Sequence, residues 1–331
     1  MTTVRTNIKA SLPQEVINAL QPKKSSVRYK QEYSKFMEWL QQHQYAVTEE
    51  AILLYSVEMS KSFSPSSVRS KISMIKQELL INGTILESSQ QLNLHIKRIN
   101  TDYSPKKAAV FSKQQLEIFL LQAPDVEFLM WKFIFLVGFF GCARSDDLWK
   151  ILWKDIEACD QGIRFRIFGE KNQSNRISIA PSNVSDGWNL SLYYEKIKNL
   201  RTVCGISVER AFVRYENGKL FNQVNGKTII GLVPRKIAVF LGIKDVDDNT
   251  GHSIRRTSAT IGAENGISVY QLRELGGWKS ENVATSYVQS SNRFRTELEN
   301  FLVKENNNEN SNKTQGVNVS NLNNCTLNFH L

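Results

Sequence analysis

A chain of 331 residues has room for about two domains. With 41% apolar and 22% charged residues it can bury ordinary cores, which excludes a disordered or fibrous chain. A formal charge of +10 favours an anionic partner, nucleic acid ahead of an acidic membrane surface. The four cysteines, Cys142, Cys159, Cys204 and Cys325, have no metal-ligand spacing, and so sparse a set points to reduced thiols. The N-terminal stretch lacks the apolar core of a signal peptide. The longest apolar run, Phe133 to Ala143, is far shorter than the ~20 residues needed to span a bilayer. The expectation is a soluble intracellular protein with no membrane partner.

Residues 12–102 read as a small helical domain. SSVRYKQEYSKFMEWLQQH places Val27, Tyr29 or Tyr33, Phe36, Met37 and Leu40 near one face, with Ser25 or Ser26 as its cap. TEEAILLYSVEMS opens on Thr48 as N-cap, with acidic residues in the first turn. SPSSVRSKISMIKQELLING has Pro65 near its start and Gly83 near its end, as helix punctuation expects. Residues 1–107 hold fifteen lysines and arginines against nine acidic residues. Lys61, Arg69, Lys71 and Lys76 are candidate contacts along one positive side, and a solvated helix face is the plain alternative. The stretch 103–110 has no apolar period and reads as a linker, in which Lys106 and Lys107 join the candidate contacts.

A second domain is expected over 111–304. Its first helix is capped by Ser112. The next segment, DVEFLMWKFIFLVGFFG, is apolar enough to be a central core helix. RFRIFGEKNQSNRISIAP alternates on both sides of a polar tip, which predicts a β-hairpin. Helical patterns return near Trp188–Leu200, Lys227–Leu241 and from Ile254 onward. The fold class is therefore mainly α with a small β-hairpin or sheet. Residues 305–331 read as a polar, Asn-rich tether followed by one short strand carrying Cys325, Leu327, Phe329 and Leu331.

Six residues carry the candidate chemistry: Arg144, Lys171, His252, Arg255, Trp278 and Tyr287. Arg144 follows the most apolar helix, so its backbone is fixed by the core, and Asp147 is placed to hold its guanidinium. In GHSIRRTSAT, His252 and Arg255 lie three apart on one helix face, which lets an imidazole and a guanidinium converge on one anion. Trp278 follows Arg255 by 23 residues and Tyr287 follows Trp278 by nine. Lys171 sits at the hairpin tip, with Arg176 nearby as a weaker candidate for contact with nucleic acid.

HSIRRTSATIGAENGISVYQLRELGGWKSENVATSYVQ resembles the signature box of tyrosine recombinases and integrases in order and spacing. VGFFGCARSDDLWKILWKDI and FGEKNQSNRISI fall where that family has its arginine box and hairpin lysine. The resemblance is strong over 111–300, architectural over 12–102 and absent in the tail. Within the family, the RRTSAT and GGWKS wording is most similar to the recombinases of Crypton DNA transposons. Many members have His at the position of Trp278, and Glu is common at that of Asp147. Trp still donates through its indole N–H, and Asp keeps the charge.

The resemblance implies a helical core-binding domain, a catalytic domain and double-stranded DNA as partner. It implies a 3′-phosphotyrosyl intermediate, a tetramer on two DNA sites and, in a eukaryotic host, a nuclear location. Attack on a phosphodiester builds charge on the non-bridging oxygens, which suits Arg144 and Arg255 as a clamp with Trp278 as a third donor. A tyrosine nucleophile, ordinarily with a pKa of about 10, needs help losing its proton. His252 is either the base or a phosphate-orienting donor, and Lys171 is the candidate acid for the leaving 5′-oxygen. No cofactor or metal is expected, because no metal-ligand set lies near these motifs. A type IB topoisomerase-like enzyme and a non-catalytic DNA-binding regulator remain the alternatives.

Overall fold

The computed structural model describes residues 13–21, 25–84, 86, 90–101, 103–168 and 175–303. Lys171, and the tail for which the sequence predicts a tether and a strand, lie outside these residues. The chain forms two compact units, 1–107 and 108–331, and the division falls within the stretch 103–110. Among the described residues no helix is long and apolar enough to cross a membrane.

The first unit contains α1 (Gln14–Leu20), α2 (Ser26–His43), α3 (Glu49–Ser60), α4 (Pro65–Ile81) and α5 (Gln90–Thr101). Val68, Ile72, Ile75 and Leu79 recur at helical spacing along α4 and pack with Phe36, Trp39, Leu40, Ile52, Met59 and Leu92. Thr48 caps α3 by accepting the Ala51 N–H at 3.1 Å. Pro65 opens α4 in its first turn. Val27, expected on the buried face of α2, is exposed; Trp39 is buried instead, and its indole donates to Glu58 Oε2 at 2.8 Å.

Two of the candidate nucleic-acid contacts form ion pairs within the unit. Lys71 Nζ lies 2.6 Å from Glu32 Oε2 and 4.5 Å from the centroid of the Phe63 ring. Lys76 Nζ lies 2.6 Å from Glu49 Oε1. Burial raises the Glu32 carboxyl, but the hydrogen bonds and charges of Lys71 and Lys35 outweigh it and hold the group below its usual range. These lysines are paired with buried carboxylates of their own unit. Lys61, Arg69, Lys106 and Lys107 are exposed.

The second unit begins with α6 (Lys113–Gln122), whose Ser112 and Gln115 form a capping box. It is followed by α7 (Asp125–Phe140), in which Phe133 to Val137 are all wholly buried. A helix apolar on every side belongs at the centre of a core. Its one buried charge, Lys132, is satisfied by the Ala123 carbonyl at 2.6 Å and by Asp125 at 2.9 Å. A short helix, α8 (Ser145–Lys150), leads into β1 (Ile156–Cys159), β2 (Gly162–Ile167) and β3 (Arg176–Pro181). These make an antiparallel sheet in the order β1-β2-β3. The predicted hairpin is its β2–β3 pair; β1 is a third strand that the sequence reading lacks.

Then follow α9 (Leu190–Val203), β4 (Val213–Glu216), β5 (Lys219–Val224), α10 (Lys227–Gly231) and α11 (Val233–Phe240). The β4–β5 hairpin is also new. Its two-residue loop is Asn217–Gly218, at φ 48° and 79°, where both residues need the left-handed region. The described residues close with α12 (Ser253–Glu264), α13 (Val269–Gly276), α14 (Glu281–Ser290) and α15 (Asn292–Val303). Cys142, Ala259, Ala263, Leu272 and Ala284 form a small cluster of their own, with Trp278 and Tyr287 packed against it. The large core lies around α7.

The Lys71–Glu32 pair yields a stability prediction. Lys71→Met leaves the buried Glu32 carboxylate with only the exposed Lys35 at 3.3 Å and should cost on the order of 2 kcal/mol, measured by urea unfolding. A loss within error of zero would show that Glu32 does not depend on Lys71.

Candidate active site

The site is built where α7 ends. A Cβ on Gly141 would lie 2.3 Å from Ile167 Cδ1 and 2.9 Å from the Val137 carbonyl oxygen, so only glycine fits. Cys142 follows at φ 43°, a left-handed conformation that costs a non-glycine residue about 1–2 kcal/mol. The turn is held by what its carbonyls accept. Arg255 Nη1 donates to the Cys142 oxygen at 2.6 Å, and Arg176 Nη2 donates to the same oxygen at 3.3 Å and to that of Gly141 at 2.9 Å.

Arg144 comes two residues later, immediately before α8. Asp147 is not placed as expected: its Oδ2 accepts the Arg144 backbone N–H at 3.1 Å, fixing the main chain and not the guanidinium. The Arg144 guanidinium makes no hydrogen bond to the described residues, and Arg144 is only half-buried. Next to it, Ser145 Oγ donates to the Gly251 carbonyl at 3.1 Å. A Cβ on Gly251 would fall 2.3 Å from that Oγ. This close contact joins the start of α8 to the loop before α12, and Arg144 and His252 flank it. His252 is exposed.

Arg255, by contrast, is 3% exposed. Its Nη2 donates to the Gly276 carbonyl at 2.8 Å, and its Cζ stands 4.3 Å from the centroid of the Trp278 ring. The ring of Trp278 in turn stacks on Tyr287, with centroids 5.8 Å apart and planes inclined by 29°. Arg255, Trp278 and Tyr287 therefore form a continuous stack. Both glycines of GGW serve it. A Cβ on Gly276 would lie 2.2 Å from Trp278 Cζ3, and Gly277 ends α13 in the left-handed region at φ 62°.

Burial lowers the Arg255 guanidinium to about 10, with Arg144 and Arg176 pushing the same way, yet it stays protonated at neutral pH. Burial raises the Cys142 thiol, which leaves it a neutral donor to the Arg255 carbonyl, with Sγ 3.6 Å away. Burial also raises the Tyr287 phenol, and the charge of Arg256 acts against this. The net value stays above the ordinary one, so the phenol is protonated at neutral pH. Among the described residues no cluster of three or more His, Cys, Asp or Glu side chains could hold a metal.

No family model matches the sequence, and no curated protein matches it. Solved structures do match. XerH site-specific recombinase, in a post-cleavage complex with its palindromic difH substrate, aligns with a TM-score of 0.60 at 14% identity. The match covers 78% of this chain and 73% of that one. Lambda integrase (residues 75–356) bound to DNA aligns at 0.57 and 14% identity, over 85% of this chain and 95% of that one. The Tn1549 transposon integrase (residues 82–397), in complex with transposon right end DNA, aligns at 0.55 and 15% identity. There the match covers 87% of this chain and 99% of that one.

The chain has the recombinase and integrase fold. Within that fold, Arg255, Trp278 and Tyr287 pack against the turn at Cys142 and Arg144 follows that turn by two residues, while His252 stands exposed in the loop joined to the start of α8. Lys171 is outside the described residues. Arg176, expected as a contact to nucleic acid, is turned inward onto the carbonyls of Gly141 and Cys142.

The sequence reading passed over Arg256. This residue donates through Nη1 to the Ala108 carbonyl, at the start of the second unit, and its charge pulls the Tyr287 phenol down against burial. Only its place beside Arg255 in the RR pair could have drawn attention to it. Arg256→Met removes an influence that lowers the Tyr287 phenol, so its pKa should move further up. Titration of the Tyr287 ring carbon by NMR in selectively labelled protein checks this, and an unchanged or lower value would rule out that influence.

Proposed function

We propose that this protein is a DNA strand-exchange enzyme of the tyrosine recombinase type, with Tyr287 as nucleophile. One observation carries the reading: the Arg255–Trp278–Tyr287 stack, with Arg144 held two residues from the turn that anchors Arg255. A buried guanidinium, a neighbouring half-exposed one and an aromatic hydroxyl offer what phosphodiester cleavage by a tyrosine requires. The solved recombinases and integrases that share the fold were captured on DNA, which supports DNA as the substrate.

In the proposed reaction the Tyr287 oxygen attacks phosphorus while the bond from phosphorus to the 5′-oxygen breaks. The products are a 3′-phosphotyrosyl bond and a free 5′-hydroxyl. Charge that grows on the non-bridging oxygens is met by Arg144 and Arg255, both permanently charged and rich in planar donors. The phenol proton leaves to His252 or solvent, and Lys171 protonates the departing 5′-oxygen. Attack of another strand's 5′-hydroxyl on the phosphotyrosine reverses the step and releases the tyrosine, so joining needs no external energy source. The sequence resemblance supports the finer reading, a Crypton-type transposase acting as a tetramer on two DNA sites in the nucleus.

A pool of nicked duplexes of randomised sequence, whose short downstream fragment leaves with the free 5′-hydroxyl and diffuses away, tests the chemistry. The wild-type chain should become covalently linked to DNA in denaturing gels, and Tyr287→Phe should bind DNA but form no adduct. Arg144→Ala and Arg255→Ala should each slow adduct formation by on the order of 10²–10³. An adduct that persists in Tyr287→Phe would remove Tyr287 from the mechanism.

A further inference from the structure

Arg176 has no role in the reaction as set out above, yet it lies in the middle of the site. Register explains why. On β3, residues 176, 178 and 180 share the inner face, where Ser178 and Ala180 are buried, while Ile177 and Ile179 are exposed on the other. Arg176 Nη2 spans the Gly141 and Cys142 carbonyls, and its Nη1 lies 2.9 Å from where a Cβ on Gly277 would stand. The side chain thus bridges the turn before Arg144 and the turn before Trp278.

Its remaining donors are unmatched. Nε and Nη1 are buried and have no partner among the described residues. Buried donors of an ionised group are ordinarily paired, and the exceptions call for a reason. The electrostatics are equally one-sided. Arg144, Arg176 and Arg255 repel one another, and Asp147 is the carboxylate that acts on both buried guanidiniums. Its own Oδ2 is already taken by the Arg144 N–H. Three cations around one carboxylate leave an excess of positive charge where Arg144 faces outward.

We infer that Arg176 is the third guanidinium of the anion site, a positioning residue that orients Arg255 through the Cys142 carbonyl they share and adds unneutralised charge behind the phosphate. It acts through Arg255 and the Gly141–Cys142 turn and does not touch the phosphate. The inference rests on the proposed phosphodiester chemistry for its ligand, a phosphate group. Because Nη2 alone reaches both carbonyls, an ammonium could replace it, so charge and not fork geometry is what the site needs from this position.

The probe is inorganic phosphate. Thermal unfolding of the full chain is followed against phosphate concentration, with chloride holding ionic strength constant, for wild type, Arg176→Met, Arg176→Lys and Arg144→Ala. Wild type should gain Tm with phosphate, as any ligand of the folded state produces. Arg176→Met should raise the half-saturating concentration about tenfold or more, and Arg176→Lys should stay within about threefold of wild type. A purely structural arginine would lower Tm equally at every phosphate concentration and leave half-saturation where it was. That result, or a wild type indifferent to phosphate, overturns the proposal. If Arg176→Met fails to fold, Arg176→Lys still decides it: a tenfold weakening there contradicts the charge argument. If phosphate binds as expected but the wild-type chain forms no DNA adduct, the strand-exchange reading falls and the three-arginine site stands.

Discussion

The backbone carbonyl of Cys142 is the fixed point of this site. It is turned into place by a left-handed residue at the end of a wholly buried helix, and arginines from a strand and from a later helix both donate to it. A carbonyl with two cationic donors is a strong local anchor, since charge-assisted hydrogen bonds are about twice as strong as neutral ones. The strained φ angle is tolerated because relaxing it would leave two buried guanidiniums short of acceptors. With that oxygen fixed, Arg255 is fixed; Trp278 then has a cationic face to cover, and Tyr287 has an aromatic face to stack on.

The packing around this anchor is uneven. The large core around α7 is built mostly from Phe, Ile and Leu, whereas α12 and α14 contribute alanines, Ala259, Ala263 and Ala284, around Leu272 of α13. Small side chains let helices approach closely but bury little apolar area each, so the module that carries Tyr287 is held with less hydrophobic energy than the scaffold it rests on. Much of its attachment is polar: Arg255 to the Gly276 carbonyl at 2.8 Å, and Glu264 Oε1 accepting the Asn292 N–H at 2.9 Å. A nucleophile mounted on a lightly buried module can shift its position without unfolding the core.

Much of this was legible in the sequence, for identifiable reasons. The unbroken apolar run of α7, the caps at Thr48 and Ser112 and the proline opening α4 are local signals, and local signals survive folding. The arginine, tryptophan and tyrosine motifs were legible through their order, and the structure stacks Arg255, Trp278 and Tyr287 beside the Cys142 turn. Long-range pairings were not legible. Nothing near Lys71 or Lys76 announces that glutamates 39 and 27 residues away lie buried beneath them. Arg176 misled for a physical reason: in RISIAP the isoleucines look like the buried face, but the sheet turns them outward and takes the arginine, serine and alanine inside. The β4–β5 hairpin was a missed opportunity, because Asn217–Gly218 between two alternating runs is a strong turn signal.

The central claim is that Arg144, Arg255 and their neighbours form a single anion site beside Tyr287. Crystals of the full chain soaked in tungstate, a heavy tetrahedral anion, test it directly through anomalous diffraction. The account predicts a strong peak within hydrogen-bonding distance of the Arg144 guanidinium, on the side where Trp278 and Tyr287 stack. A peak only among exposed lysines such as Lys61 or Lys107, with nothing beside Arg144, would contradict it.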